Sequence, residues 1–251
     1  MTSQHPKTLV NFYRTGPMPC PYRPGQIERN LFAELGGPAG AAASFELHDR
    51  LTKAGFRRSH TVVYRPACPK CTACIPVRVR VADFQMSRSL KRIRNRNRHL
   101  EIRIIAPDPT PEHFALFGRY QRHRHAGGDM AAMSYADYRA MVDDTIGRTR
   151  LVEFRDADRR LIAACLTDYL KDGLSAVYSF FDPELDGDSL GTFIVLSLID
   201  CAARSELAHV YLGYWIEDSP KMSYKMRFRP LEALGPDGWK VLEPTQDYHL
   251  D

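Results

Sequence analysis

No run of about eighteen consecutive apolar residues occurs in this 251-residue chain, so no membrane-spanning helix is expected. The first residues, MTSQHPKTLVNFYRTG, lack the apolar core of a signal peptide, and the expectation is a cytoplasmic protein without a membrane partner. Cysteine is scarce, with six in all, and a reducing compartment disfavours disulfides among them. An excess of one charge is also missing: the net charge is only +5. The length suffices for one large domain or two small ones, each with a buried core.

Four of the few cysteines are not scattered. Cys68, Cys71 and Cys74 form a C-x2-C-x2-C turn inside RRSHTVVYRPACPKCTACIPVRVR, and Cys20 lies upstream in Met18-Pro-Cys-Pro-Tyr22. Closely spaced thiols in a tight turn present several sulfurs to one point, which suits zinc or an iron–sulfur cluster. Zinc ribbons usually carry two CxxC pairs, however, so reduced structural cysteines and, less readily, a disulfide framework stay open beside the metal reading. Cys165 and Cys201 sit in apolar runs and read as small buried hydrophobes.

Basic residues are concentrated. MSRSLKRIRNRNRHLEIR, residues 86–103, holds seven Lys or Arg against the single Glu101, and a second cluster spans 119–125. Such density suits a polyanion, with Lys91, Arg92, Arg94, Arg96 and Arg98 as contacts to an RNA backbone; the alternative is a solvated helical face. The aromatic residues of a base-stacking platform are missing from this stretch.

Periodicity predicts helices over 26–35 and 42–53, the second ended by Gly55, then paired strands at 61–64 and 75–81 flanking the cysteine turn. APDPTPEHF divides the chain into an N-terminal cysteine-containing domain with the basic stretch, 1–106, and a second domain, 107–251. In the latter, helices at 111–125 and 134–145 precede strands at 150–154, 161–170 and 174–181, a helix at 190–203 and a strand at 210–215. This order is that of an α+β acyltransferase core of the acetyltransferase-like (GNAT) type. In such a core the helix after the third strand points its unsatisfied N–H groups at the acyl donor. The corresponding loop, Asp182-Pro-Glu-Leu-Asp-Gly-Asp-Ser-Leu-Gly191, lacks Q-x-x-G-x-G and carries three Asp and one Glu, which would repel a coenzyme A pyrophosphate. Ser189 as an ordinary helix N-cap is the plainer reading of the same loop.

Six motifs in order, Met18-Pro-Cys-Pro-Tyr22, Gly55-Phe-Arg-Arg-Ser-His60, the segment from Tyr64 to Arg78, Tyr178-Ser-Phe-Phe-Asp182, Ser189-Leu-Gly191, and Gly213-Tyr-Trp-Ile216 followed by Pro220-Lys-Met-Ser-Tyr-Lys225, resemble the arginyl-tRNA–protein transferase family. Within it the chain is similar to the bacterial, leucyl-transferring branch. The resemblance implies an enzyme of the N-degron pathway that moves leucine from leucyl-tRNA to proteins beginning with Asp or Glu. The arginyl branch carries adjacent cysteines where this chain has spaced ones.

An aminoacyl ester is already activated, so transfer requires no cofactor, and positioning with oxyanion stabilisation matters more than a strong base. Tyr178, Asp182, Ser189 and Gly191 are the expected catalytic walls, with core packing and turn capping as the plainer roles of Tyr178 and Asp182. An acidic acceptor residue calls for a cation, and Arg65 and Arg78 with Tyr64 beside them are the first candidates. Lys221, Tyr224 and Lys225 follow the last core strand as further substrate contacts. The metal candidates are Cys20, Cys68, Cys71 and Cys74. Competing functions are a noncatalytic RNA-binding protein with a zinc knuckle and a coenzyme A-dependent N-acetyltransferase.

Overall fold

A computed structural model describes residues 10–36, 40–143 and 148–243. The elements run β1 (Tyr13–Arg14), β2 (Met18–Pro19), β3 (Ile27–Glu28), β4 (Asn30–Glu34), α1 (Gly40–Lys53), β5 (Arg57–Ser59), β6 (Val62–Pro66), β7 (Ile75–Arg80), α2 (Arg88–Arg96) and β8 (Glu101–Ile105). They continue with α3 (Pro111–Arg124), α4 (Tyr135–Asp143), β9 (Thr149–Arg155), β10 (Leu161–Tyr169), β11 (Gly173–Phe181), α5 (Leu190–Arg204), β12 (His209–Trp215), β13 (Leu231–Gly235) and β14 (Gly238–Val241).

Eight strands form one sheet in the order β14-β13-β7-β12-β11-β10-β9-β8, and four form a smaller sheet, β1-β4-β6-β5. In the large sheet β11 and β12 pair in parallel while their outer neighbours pair antiparallel. That is the expected meander of three strands, a crossover helix and a parallel strand, since α5 connects β11 to β12.

Alternation along β10 separates the two faces of this sheet. Ala163 and Cys165 face the core built with α5 and with Leu90 and Ile93 of α2. Ala164 and Leu166 face the core built with Leu116, Phe117, Tyr138 and Val142 of α3 and α4. Asp168, in step with Ala164 and Leu166, receives Arg58 of β5, so the small sheet lies on the α3 face.

Two expectations are corrected. The segment 26–35 forms β3 and β4 and no helix: Leu31, Ala33 and Leu35 alternate into the small core, and β4 is hydrogen-bonded between β1 and β6. Its leucine and phenylalanine spacing satisfies a helix as well, and strand partners decide. The strands flanking the cysteine turn do not pair with each other, because β6 belongs to the small sheet and β7 to the large one, with residues 67–74 crossing between them. The chain after residue 216 adds a further hairpin, β13–β14, on the outer side of β7. The division near 106 falls between β8 and β9, which are paired neighbours in one sheet.

Candidate functional site

The large sheet opens at its centre. β11 and β12 are paired only through Gly173↔His209, Leu174↔Val210 and Ser175↔Tyr211, and beyond Ser175 the two strands part. Two irregularities make the gap: Val177 is an extra residue in β11 between Ala176↔Thr167 and Tyr178↔Leu166, and the β12–β7 register shifts between Tyr211 and Gly213. Gly213 adopts φ +74°, a left-handed conformation that favours glycine.

Arg57 fills the opening. Its Nη2 donates to the carbonyls of Val177 (2.9 Å) and Ala176 (3.4 Å), which β12 no longer reaches. A Cβ on Gly213 would lie 2.5 Å from Arg57 Cζ and Nε, so the glycine and the arginine are mutually fitted. Lys225, 6% exposed, stands beside it and donates from Nζ to Tyr214 O. Burial first, and then the nearby Arg57 charge, lowers its pKa to about 7. Neither cation forms an ion pair among the described residues.

Above the gap Gln121 of α3 donates to Tyr178 Oη at 2.6 Å, and Tyr120 packs edge-on to Phe181 at 4.9 Å between centroids. Burial raises the Tyr178 pKa to about 12, with Tyr120 adding to the shift, so the phenol is neutral at physiological pH. Asp182 is buried and already engaged: Arg119 lies at 3.5 Å, Arg160 at 4.0 Å, and its Oδ1 accepts from Glu184 N at 3.1 Å. It therefore caps the turn after β11. Ser189 takes a left-handed φ of +54° and its hydroxyl does not cap α5, whereas Gly191 lies under Phe181, 3.4 Å from where its Cβ would be.

The basic stretch folds as the amphipathic α2. Leu90 and Ile93 are buried, while Lys91, Arg92, Arg94, Arg96 and Arg98 are exposed. Arg96 donates to Gly187 O, and Asn97, buried, donates to Asp188 O (2.8 Å). The loop between β11 and α5 is thereby held from the α2 side and, through Arg119–Asp182, from the α3 side. Arg122, His123 and Arg124 continue the positive surface along the end of α3.

The other candidates scatter. Arg78 is bound to Glu232 (2.7 Å) and Tyr211 Oη (3.1 Å) and stacks over Trp239 at 4.4 Å, so its charge is already satisfied. Arg65 is exposed and donates to Ala54 O at 3.1 Å. Tyr64 contacts Tyr214, ring centroids 6.2 Å apart, near the gap. Lys221 is exposed close to His125, and Tyr224 is packed against Phe228. Cys68 Sγ accepts from Arg29 N at 3.5 Å, and burial, followed by the neighbouring thiols of Cys68, Cys20 and Cys71, raises the Cys74 pKa to about 12. The four thiols thus share one region, but among the described residues no group of three or more His, Cys, Asp or Glu is arranged to hold a metal ion.

Arg57, Gly213 and Gln121 did not emerge from the sequence reading as site residues. A signal existed for two of them. A lone glycine inside a strand marks a bulge, and adjacent arginines on a short strand must point to opposite faces.

Known proteins resemble this chain over most of its length. Residues 18–92 match the family described as arginine-tRNA-protein transferase, N terminus, and residues 112–235 match its C terminus. A protein of Paramagnetospirillum magneticum named aspartate/glutamate leucyltransferase is 53% identical over 233 residues, covering 93% of this chain and 94% of the relative. One of the same name from Parvibaculum lavamentivorans is 50% identical over 241 residues, covering 96% and 98%. Among solved structures, FemX superposes with a TM-score of 0.47 at 8% identity, over 84% of this chain and 81% of that one.

Proposed function

Because the chain belongs to the arginine-tRNA-protein transferase family, we propose that it transfers leucine from leucyl-tRNA to proteins whose first residue is Asp or Glu. The observation that carries this reading is the identity of 53% and 50% to relatives named aspartate/glutamate leucyltransferase, across more than nine-tenths of both chains. The chain contains no helix long and apolar enough to cross a membrane among its described residues.

The reaction is an aminolysis. The acceptor's α-amine attacks the leucyl ester carbonyl, a C–N bond forms, the ester C–O bond breaks, and the tRNA ribose oxygen leaves with a proton. The acceptor amine, with an ordinary pKa of about 7.7–8.0, is partly neutral near pH 7, and the ester is already activated. Juxtaposition and stabilisation of the oxyanion therefore supply the catalysis. The gap between β11 and β12 is where an extended substrate meets strand edges that no neighbouring strand pairs and that Arg57 and Lys225 cap. Tyr178, held by Gln121 and neutral, offers a hydrogen-bonding wall there.

The acidic loop between β11 and α5 is neutralised in part by Arg119, Arg160 and Arg96, which leaves the surplus positive charge of α2 and of the α3 end facing outward. These two basic elements lie on either side of the loop and suit the polyanionic donor.

Two tests follow. Labelled leucine is expected to move from charged tRNA onto peptides beginning with Asp or Glu and not onto those beginning with Lys or Ala; transfer onto Lys-initiated peptides would overturn the acceptor assignment. Neutralising Lys91, Arg92, Arg94 and Arg98, with Arg96 retained because it holds Gly187, is expected to weaken tRNA binding across sequences. Its log–log salt dependence should flatten by about 0.7 per lost phosphate contact on single-stranded RNA. The fold should be spared, since all four side chains are exposed. An unchanged slope returns α2 to a solvated face.

A further inference from the structure

Arg57 and Lys225 are the cations that the scheme above leaves without work. They come from different parts of the chain, β5 and the turn after β12, and meet where β11 and β12 part. Other inward-facing arginines are satisfied by carboxylates: Arg58 by Asp168, Arg78 by Glu232, Arg155 by Glu153 and Glu112. Among the described residues, Arg57 and Lys225 have only backbone carbonyls.

A purely structural role accounts for this poorly. Capping the carbonyls of Ala176, Val177 and Tyr214 takes neutral donors, whereas burying a lysine beside an arginine costs desolvation and repulsion with no opposite charge to offset them. Lys225 Nζ carries three donors, and one carbonyl is its recorded partner. Arg57 also lines a narrow crevice with Gly55, Ser175, Tyr211, Gly213 and Trp239. α2 packs with α5 on the opposite face of the sheet.

We propose that Arg57 and Lys225 together hold the side-chain carboxylate of the acceptor's first residue, in the opening between β11 and β12. The inference rests on the transferase reading above and assigns its acceptor pocket. A carboxylate placed there meets a guanidinium and an ammonium in charge-assisted hydrogen bonds. The lysine stem is flexible enough to meet the carboxylate at the reach of either Asp or Glu. An acceptor beginning with Asn or Gln keeps the shape but leaves two buried cations without an anion. The same two charges disfavour the protonated form of the nearby α-amine and so raise the fraction able to attack the ester. Acceptor and donor then meet in the gap.

The test uses the full-length protein, Asp- and Asn-initiated peptides of otherwise identical sequence, and leucyl-tRNA. Lys225→Met keeps the volume and removes the charge. The expected result is a KM for the Asp peptide higher by about ten- to a hundredfold, a collapsed preference for Asp over Asn, unchanged leucyl-tRNA affinity, and a Tm equal to or above that of the parent. Arg57→Lys, which preserves charge but loses the fork, is expected to show a smaller rise in KM. A lowered Tm with the Asp preference intact would assign the pair a structural role and overturn the proposal, as would an unchanged KM. If the parent protein itself transfers nothing to Asp or Glu peptides, the transferase reading fails. Normal transfer by the parent with undiminished selectivity in Lys225→Met sinks the pocket assignment alone.

Discussion

Arg58→Ala is expected to destabilise the protein by about 3–5 kcal/mol, the cost of stranding a buried charge. Arg58 and Asp168 have side chains only 0% and 3% exposed and are joined by two hydrogen bonds, Nε to Oδ2 at 2.6 Å and Nη2 to Oδ1 at 2.8 Å. Thr149 donates to the same carboxylate at 2.6 Å, and Arg58 Nη1 donates to His60 O at 2.9 Å. His48 lies 3.5 Å away, its pKa lowered by burial, so it supplies no dependable replacement charge. The pair ties the small sheet to the large one, and the loss is a sizeable part of the roughly 5–15 kcal/mol by which domains are stable. Chemical denaturation measures it directly. The double variant Arg58→Met with Asp168→Leu should recover much of the loss, because no charge is then buried unpaired. A single variant within about 1 kcal/mol of the parent would mean that the ion pair contributes little to holding the sheets together.

Gly213→Ala is expected to abolish most transfer while costing less stability. The residue sits at φ +74°, where a side chain adds backbone strain of about 1–3 kcal/mol, and the new Cβ would fall 2.5 Å from Arg57 Cζ and Nε. The arginine must leave the carbonyls of Ala176 and Val177, which disturbs the unpaired edge of β11 on which the site is built. Gly238→Ala provides the control: φ is +98° and nothing lies within 4 Å of its Cβ, so it carries the strain without displacing a side chain. A melting temperature somewhat lower in Gly213→Ala than in Gly238→Ala, with transfer lost only in Gly213→Ala, is the expected pattern of steady-state rates and thermal scans. Full activity in Gly213→Ala would show that Arg57 can move without consequence.

The second half of the chain was legible because each element there buries a patterned face. The continuous apolar run of β10 between the strand-like runs of β9 and β11 reads as a meander, and the apolar helix before β12 reads as its crossover. The first half was not, because short strands borrow their identity from partners. The segment 26–35 satisfies a helical pattern, yet its backbone groups pair with β1 and β6. Among site residues, chemical type was readable and occupancy was not: Arg78 and Asp182 have the right charges, but Glu232 and the Arg119–Arg160 pair already use them.

The sequence by itself determined the family, through six ordered motifs, and the acyltransferase order of strands and helices, because hydrophobic period and loop chemistry are local properties. It also located the basic stretch, whose charge needs no partner to be recognised. Tertiary structure alone decided which cations are free. That depends on what each side chain meets across the fold: Asp168 for Arg58, Glu232 for Arg78, and for Arg57 and Lys225 only the carbonyls that a parted pair of strands leaves behind.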